Sequence, residues 1–208
     1  MTELILRGRS QQIAGQADQD IRTSTDGMLS VNGRYAELAQ RGQVFHASRA
    51  AVTLPVNAAT LVSVFGLHNP AGSGKMLEMI ECEAHAVLAT TVVNALGLYF
   101  SNGSNASGAT FTTPVAGGVK SSRLGEGVTS VCTLYSAVTH VGTPELVDII
   151  GGWGAVTDGG ATPIRKVWDG KIVVPPGTLL ALAMTTAAWT GSGFTGLLRW
   201  AETPYLAQ

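Results

Sequence analysis

Apolar and polar residues alternate along residues 76–88. The apolar residues are Met76, Ile80, Cys82, Ala84, Ala86 and Leu88. The polar residues between them are Glu81, Glu83 and His85. A period of two places successive side chains on opposite faces of a strand. The pattern therefore predicts a β-strand with Ile80 and Cys82 inside and Glu81 and Glu83 outside.

Similar apolar or alternating runs fill most of the chain after residue 50. They are residues 50–56, 59–67, 92–101, 128–139, 163–167, 171–174, 178–189 and 194–202. Clusters rich in Gly, Ser and Asn separate them, notably at 101–108 and 151–154, and such clusters favour turns. Eight or nine strands without a convincing helix between them predict an all-β fold. We expect an antiparallel β-sandwich with jelly-roll topology.

Residues 1–44 have a different composition. Tyr35 is their only aromatic residue. They carry five arginines, Arg7, Arg9, Arg22, Arg34 and Arg41. Such a segment cannot bury enough apolar area to offset its ordering entropy alone. One short helix is predicted over 34–40, closed by Gly42. We therefore predict an extended N-terminal arm over 1–44 and a sandwich domain over 45–208.

The turn before the alternating strand looks at first like a nucleotide-binding loop. A P-loop needs Gly, four residues and then Gly-Lys-Ser/Thr, so that backbone N–H groups wrap the phosphates. Gly74 and Lys75 are present, but Asn69 stands at the first glycine position and Met76 at the hydroxyl position. The segment also precedes a strand instead of a helix. We interpret 69–74 as a tight connection between two strands and expect no nucleotide cofactor.

The same turn carries a more specific resemblance. Residues 67–75 read Leu-His-Asn-Pro-Ala-Gly-Ser-Gly-Lys and, with the alternating strand after them, resemble the core of small virion structural proteins of tailed bacteriophages. Segments 26–29 and 33–45 are similar to the lead-in of such proteins. Segments 174–179, Val-Pro-Pro-Gly-Thr-Leu, and 198–204, Leu-Arg-Trp-Ala-Glu-Thr-Pro, are similar to their last strands.

This resemblance implies a non-enzymatic component of the virion, made in the host cytoplasm. The first expectation is a decoration or cement protein on the capsid surface, with the major capsid protein and copies of itself as partners. By analogy with viral jelly rolls, a homotrimer is expected. The alternative is a tail- or fibre-associated receptor-binding module that recognises host glycan.

Composition is compatible with a structural role and excludes some partners. Only 13% of the residues are charged, and 26 are glycine, so the chain either hides surface against partners or is a neutral, turn-rich β protein. Its net charge of −1 offers no cluster of Lys and Arg for nucleic acid. No apolar run reaches the ~20 residues of a membrane span, and the N-terminus lacks a signal-peptide core.

Candidate chemistry is sparse. Glu81, Glu83 and His85 could ligate a metal from one strand face, but a solvated face is the favoured interpretation, and we assign no metal. His140 and Asp148 lack a Gly-x-Ser-x-Gly nucleophile elbow, so no catalytic residue is assigned. The two cysteines are too few for a disulfide framework.

The candidate partner-binding residues lie mainly in the arm. Leu4, Ile5 and Leu6 form a short apolar run, followed by Arg7 and Arg9. An apolar plug beside guanidinium groups suits docking against a partner's groove and carboxylates. Packing of the arm across its own sandwich is the open alternative.

Tryptophans are the other candidate contacts. Trp153 is predicted in a Gly-rich turn, where it could meet a partner or a sugar. Trp189 and Trp200 lie in strand-like runs and are expected in the core or an interface.

Overall fold

The computed structural model describes residues 34–53, 62–63, 65–86, 94–102, 110–115, 118–125, 127–140, 144–153, 163–185 and 193–205. The chain divides into two compact units, Met1–Glu37 and Leu38–Gln208. Of the first unit only the beginning of a helix is described. Most of the predicted arm therefore lies outside the described residues.

One short helix and twelve strands make up the described part of the chain. The helix α1, Arg34–Gln40, lies where the sequence predicts it. The strands are β1 Val44–Thr53, β2 Val62–Ser63, β3 Phe65–Asn69, β4 Lys75–Ala86, β5 Asn94–Asn102, β6 Thr110–Pro114, β7 Val119–Ser121, β8 Thr133–Thr139, β9 Glu145–Trp153, β10 Ile164–Val174, β11 Thr178–Met184 and β12 Gly193–Pro204.

The helix ends where Gly42 adopts a positive φ of 70°. The backbone N–H of Gly42 donates to Ala39 O at 2.9 Å, and that of Gln43 donates to Leu38 O at 2.8 Å. These two bonds satisfy carbonyls that the last helical turn leaves free. The chain then enters β1 directly.

The strands form two antiparallel sheets with jelly-roll connectivity. The first sheet has the order β10-β4-β12-β1-β7, and the second contains β9-β5-β11-β3-β8. In the second sheet β2 continues the register of β3 on β8, while β6 also pairs with β8. Without β2, β6, β7 and β8, eight strands remain. Numbered one to eight in chain order, they lie in the order 1-8-3-6 in the first sheet and 2-7-4-5 in the second. That order is a jelly roll, which confirms the predicted fold class.

A bulge in β4 corrects the predicted inner face. Arg199 of β12 pairs with Glu81 and Trp200 pairs with Met79, so Ile80 has no partner in that register. The extra residue reverses the alternation. Ile80, Cys82 and Ala84 are buried as predicted, but before the bulge the core residues are Leu77 and Met79. Met76, predicted inside, is instead partly exposed.

Several boundaries differ from the sequence prediction because pairing between strands decides them. β1 begins at Val44, six residues before the predicted run, because Val44 and its successors pair with β12. Gly151 and Gly152, predicted in a turn, are strand residues that pair with β5. The strands β6, β7 and β9 were not predicted as separate elements, since their residues lack a strong apolar period.

Part of β8 lies over the outer face of the second sheet. A Cβ added to Gly66 would be 2.3 Å from Val138 Cγ2 and 3.5 Å from Leu179 Cδ1, so Val138 packs directly on the glycine backbone. Further along, His140 reaches Ser101 of β5. Leu179, Ala181 and Ala183 are accordingly buried although they face away from the core between the sheets.

Candidate interaction surfaces and chemical sites

Two of the phage-like segments meet at one corner of the sandwich. Asn69, the last residue of β3, is fully buried and donates from Nδ2 to Lys75 O at 3.0 Å and to Val174 O at 3.3 Å. Gly177, at a φ of 79°, donates its N–H to Asn69 O at 2.8 Å. The turn between β3 and β4 is thereby tied to the Pro-Pro-Gly turn between β10 and β11.

Two further segments reach the same corner, and the remaining one, 26–29, lies outside the described residues. Pro204 of β12 pairs with Lys75, and Tyr205 N donates to Gly74 O at 2.9 Å. Glu202 N donates to Gln43 O at 2.8 Å, which brings in the lead-in to β1. Segments that are up to about 160 residues apart in the sequence therefore form one continuous hydrogen-bonded corner.

Glu81 lies at the centre of a charged row on the outer face of the first sheet. Arg165 Nε donates to its Oε2 at 2.9 Å, and Arg199 donates to its Oε1. The two guanidinium groups cover the carboxylate, which explains why this outward-facing residue is buried. Next in the row, burial and the positive charges of Arg199 and Lys120 lower the pKa of His46.

The three residues considered as metal ligands, Glu81, Glu83 and His85, each contact another side chain. Glu81 is fully engaged by arginines, and Glu83 Oε1 lies 3.1 Å from His85 Nε2 in a pair of its own. Among the described residues no group of three His, Cys, Asp or Glu could hold a metal ion. The three side chains therefore have protein partners on the outer face of the sheet.

His140 lies within hydrogen-bond distance of a serine. Its Nδ1 lies 2.9 Å from Ser101 Oγ, and its buried Nε2 has no hydrogen-bond partner. A serine nucleophile needs an imidazole whose second nitrogen is oriented by another group. The geometry instead fits a structural contact that holds the end of β8 on β5. Burial lowers the pKa of His140.

Asp148 joins the edges of the two sheets. Its Oδ2 accepts a hydrogen bond from Trp168 Nε1 at 2.8 Å and lies 3.2 Å from Lys166 Nζ. Burial alone would raise the pKa of Asp148, but the bonds from Trp168 and Lys166 outweigh it and lower that pKa. Trp168 reaches the core because β10 loops out at Asp169 and Gly170, both with positive φ.

The strand that carries Asp148, β9, exposes several large apolar side chains. Leu146, Val147 and Ile149 of β9 are 47%, 42% and 51% exposed, and we call them the β9 edge patch. Leu146 lies over Gly97, where an added Cβ would be 2.7 Å from Leu146 Cδ1. Exposed apolar side chains that adjoin one another on an edge strand are typical of an interaction surface.

A second exposed apolar group lies on the loop between β7 and β8. Leu124 is 81% exposed. Glu202 anchors the end of this loop that leads into β8. Its buried carboxylate accepts hydrogen bonds from Ser130 Oγ and, at 3.2 Å, from Val131 N. The loop is therefore anchored at its base and presents the leucine to solvent.

The structure locates Trp153, Trp168, Trp200 and both cysteines, whereas Trp189 and the arm residues lie outside the described residues. Trp153 is the last residue of β9, paired with Asn94, instead of lying in a turn. Trp200 is in the core, stacked on Phe45 with ring centroids 6.4 Å apart. Burial raises the pKa of both cysteine thiols, Cys82 and Cys132.

The five arm candidates fall outside the described residues. They are Leu4, Ile5, Leu6, Arg7 and Arg9. In the described part of the chain, no helix has the length and apolar character to cross a membrane. No family model, curated protein or solved structure matches the chain.

Proposed function

We propose that this protein is a non-enzymatic decoration or cement protein on the capsid of a tailed bacteriophage. The supporting observation is the corner at Asn69. Four of the five phage-like segments, all except 26–29, are joined there by hydrogen bonds within a jelly roll. A resemblance that covers one packed unit is stronger support than the same residues spread over unrelated surfaces.

The surface of the sandwich also suits a protein that works by association. The chain has few charges, and the described residues expose the β9 edge patch and Leu124. Such side chains gain free energy when a partner removes them from water, by about 25 cal/mol per Å². The partners proposed are the major capsid protein and copies of this chain, in a homotrimer on the virion surface.

Stabilisation of the capsid would follow from mass action. A protein that binds the assembled shell but not free subunits lowers the free energy of the shell at every occupied site. At a free concentration 100 times the Kd, this amounts to about 2.7 kcal/mol per site. Many weak contacts repeated over a shell therefore resist disassembly without any catalytic chemistry.

The test is the copy number on purified particles of the encoding phage. Quantitative mass spectrometry against the major capsid protein should give hundreds of copies per particle, and cryo-microscopy should place them on the capsid surface. A few copies at the tail would contradict the proposal and favour the receptor-binding alternative. In solution, the protein should bind assembled shells and not unassembled capsid subunits.

A further inference from the structure

The β9 edge patch places three exposed large apolar side chains on one strand of the described sandwich. Within the described residues β9 is the last strand of the second sheet, so one of its edges pairs with β5 and the other has no strand beside it. Leu146 and Ile149 pair with Tyr99 and Gly97 and so face outward from the sheet. An apolar edge of this kind needs either a protective device or an occupant.

The backbone of β9 is unsuited to receive another strand. Its register with β5 shifts twice, which leaves Val147 and Ile150 without a partner residue. Two bulges interrupt the regular row of N–H and C=O groups that strand addition requires. An occupant would therefore pack through side chains on the patch.

Charge distinguishes between the possible occupants. The strand carries exposed Glu145 and no basic residue of its own, and its Asp148 is already paired with Lys166 of β10. A second copy of β9 would therefore bring no positive charge to Glu145. An apolar segment that also carries positive charge would be complementary to the patch.

The chain itself contains such a segment. Residues 4–9 read Leu-Ile-Leu-Arg-Gly-Arg, three large apolar side chains followed by two guanidinium groups. From Leu6 to Arg34, where the described chain begins, there are 28 residues. Fully extended they span roughly 90 Å, and as a flexible coil about 30 Å on average. Either length can reach a neighbouring copy of a domain about 40 Å across.

We propose that residues 4–9 of a neighbouring copy pack on the β9 edge patch. Leu4, Ile5 and Leu6 cover the patch, and the arginines that follow pair with Glu145. We take a neighbouring copy as the source because copies of this chain are among the partners of the proposed function. The inference deepens the proposed function, on which it rests, by assigning the contact that links one copy to the next on the shell.

Disulfide trapping between full-length chains tests this contact. One chain carries Ile5→Cys, and a second chain with a mass tag carries Ile149→Cys. The native Cys82 and Cys132 are buried and should not react. Under mild oxidation we expect a disulfide-linked dimer of the two different chains. The matched control replaces Ile149→Cys with Val173→Cys, a valine of the first sheet that is 47% exposed, and should give at least ten-fold less.

Other outcomes overturn the proposal in distinct ways. Equal yields from Ile149→Cys and Val173→Cys would mean random collision. Dimers of Ile149→Cys chains with each other would identify a second β9 as the occupant. Efficient disulfide formation inside a chain carrying both substitutions, without mixed dimers, would assign the patch to the chain's own arm.

A charge exchange tests the arginine pairing separately. Arg7→Glu with Arg9→Glu should lower the yield of the mixed dimer about ten-fold, and Glu145→Arg on the other chain should restore it. Failure to restore the yield would overturn the pairing. These measurements need no phage particle, so trapping without any copies on the capsid would contradict the proposed function alone.

Discussion

At the scale of single residues, Gly66 shows how close packing can exclude even a methyl group. Its φ is not in the left-handed region, so the backbone conformation does not require glycine. The requirement comes from Val138, whose Cγ2 occupies the place of a Cβ at 2.3 Å. A short side chain here would push the end of β8 away from β3.

Gly66→Ala should therefore destabilise the fold by overpacking. We expect a loss of about 1–3 kcal/mol in the free energy of unfolding, measured by urea denaturation. The control is the pair Gly66→Ala with Val138→Ala, because the second change removes the clashing methyl group. The double variant should cost less than the sum of the two single changes. Strict additivity would show that Val138 does not pack on Gly66.

His140 should make stability depend on pH. Its folded-state pKa is below the ordinary 6.5 because of burial, so the unfolded chain takes up a proton first as the pH falls. Stability is complete above pH 6.5 and is lost as the pH falls from 6.5 towards the folded-state pKa. We expect His140→Asn to flatten this part of the profile of unfolding free energy against pH.

The pKa values of His46 and His68 are also lowered by burial, so some pH dependence should remain in that variant. Replacing either residue by Asn provides the comparison. An unchanged profile in His140→Asn would mean that His140 titrates normally in the folded protein.

At the scale of elements, the corner at Asn69 joins three parts of the chain that are distant in the sequence: the β3–β4 turn, the β10–β11 turn and the end of β12. The amide of Asn69 bonds to carbonyls of β4 and β10, and its own carbonyl receives the N–H of Gly177. One buried side chain therefore sets the position of two turns and the end of β12 beside them. Such a residue is sensitive to the loss of a donor, because a buried carbonyl without a partner is costly.

Asn69→Asp should be strongly destabilising. It replaces two N–H donations by a buried carboxylate that faces Lys75 O and Val174 O, and we expect a loss of about 3 kcal/mol or more in unfolding free energy. Ser73→Ala in the same turn removes only longer, part-buried bonds of 3.3–3.4 Å and should cost about 0.5 kcal/mol. Thermal and urea unfolding of both variants provide the measurement. Equal losses would contradict the anchoring role of Asn69.

At the scale of the whole molecule, the jelly roll has one face crossed by ion pairs and one edge that is apolar. The outer face of the first sheet carries Glu81 between its arginines, whereas β9 exposes large side chains at the edge of the second sheet. The two surfaces favour different environments. The charged face suits solvent, and the apolar edge suits a neighbouring chain.

The purified protein should accordingly associate, and a trimer is the expected state. Exposed apolar edges lose contact with water in closed, symmetric assemblies. Light scattering at micromolar concentration should give a mass close to three times 21.5 kDa. Ile149→Lys should shift the distribution towards monomer, while Val173→Lys should not. A monomer both in solution and on the particle would contradict the expectation.

The sequence alone was sufficient for the class of fold and for much of the core. The period of two along β4, the turn clusters and the absence of helical periods predict an all-β sandwich. The buried positions of Cys82 and Trp200 were predicted because local alternation and apolar character suffice for them. The short helix at Arg34–Gln40 was predicted from its closing glycine.

Only the tertiary structure decided what depends on partners distant in the sequence. Neither β12 nor β10 pairs with Ile80, which forms a bulge. The residues before this bulge therefore alternate between the two faces in the opposite sense to the residues after it. The apolar patch on β9 and the pairing of Asp148 with Trp168 arise from strand order. Alternation records which side chains share a face of one strand, but register and sheet order set which faces become buried. Which side chains lie on the surface of the molecule therefore depends on how its strands pair.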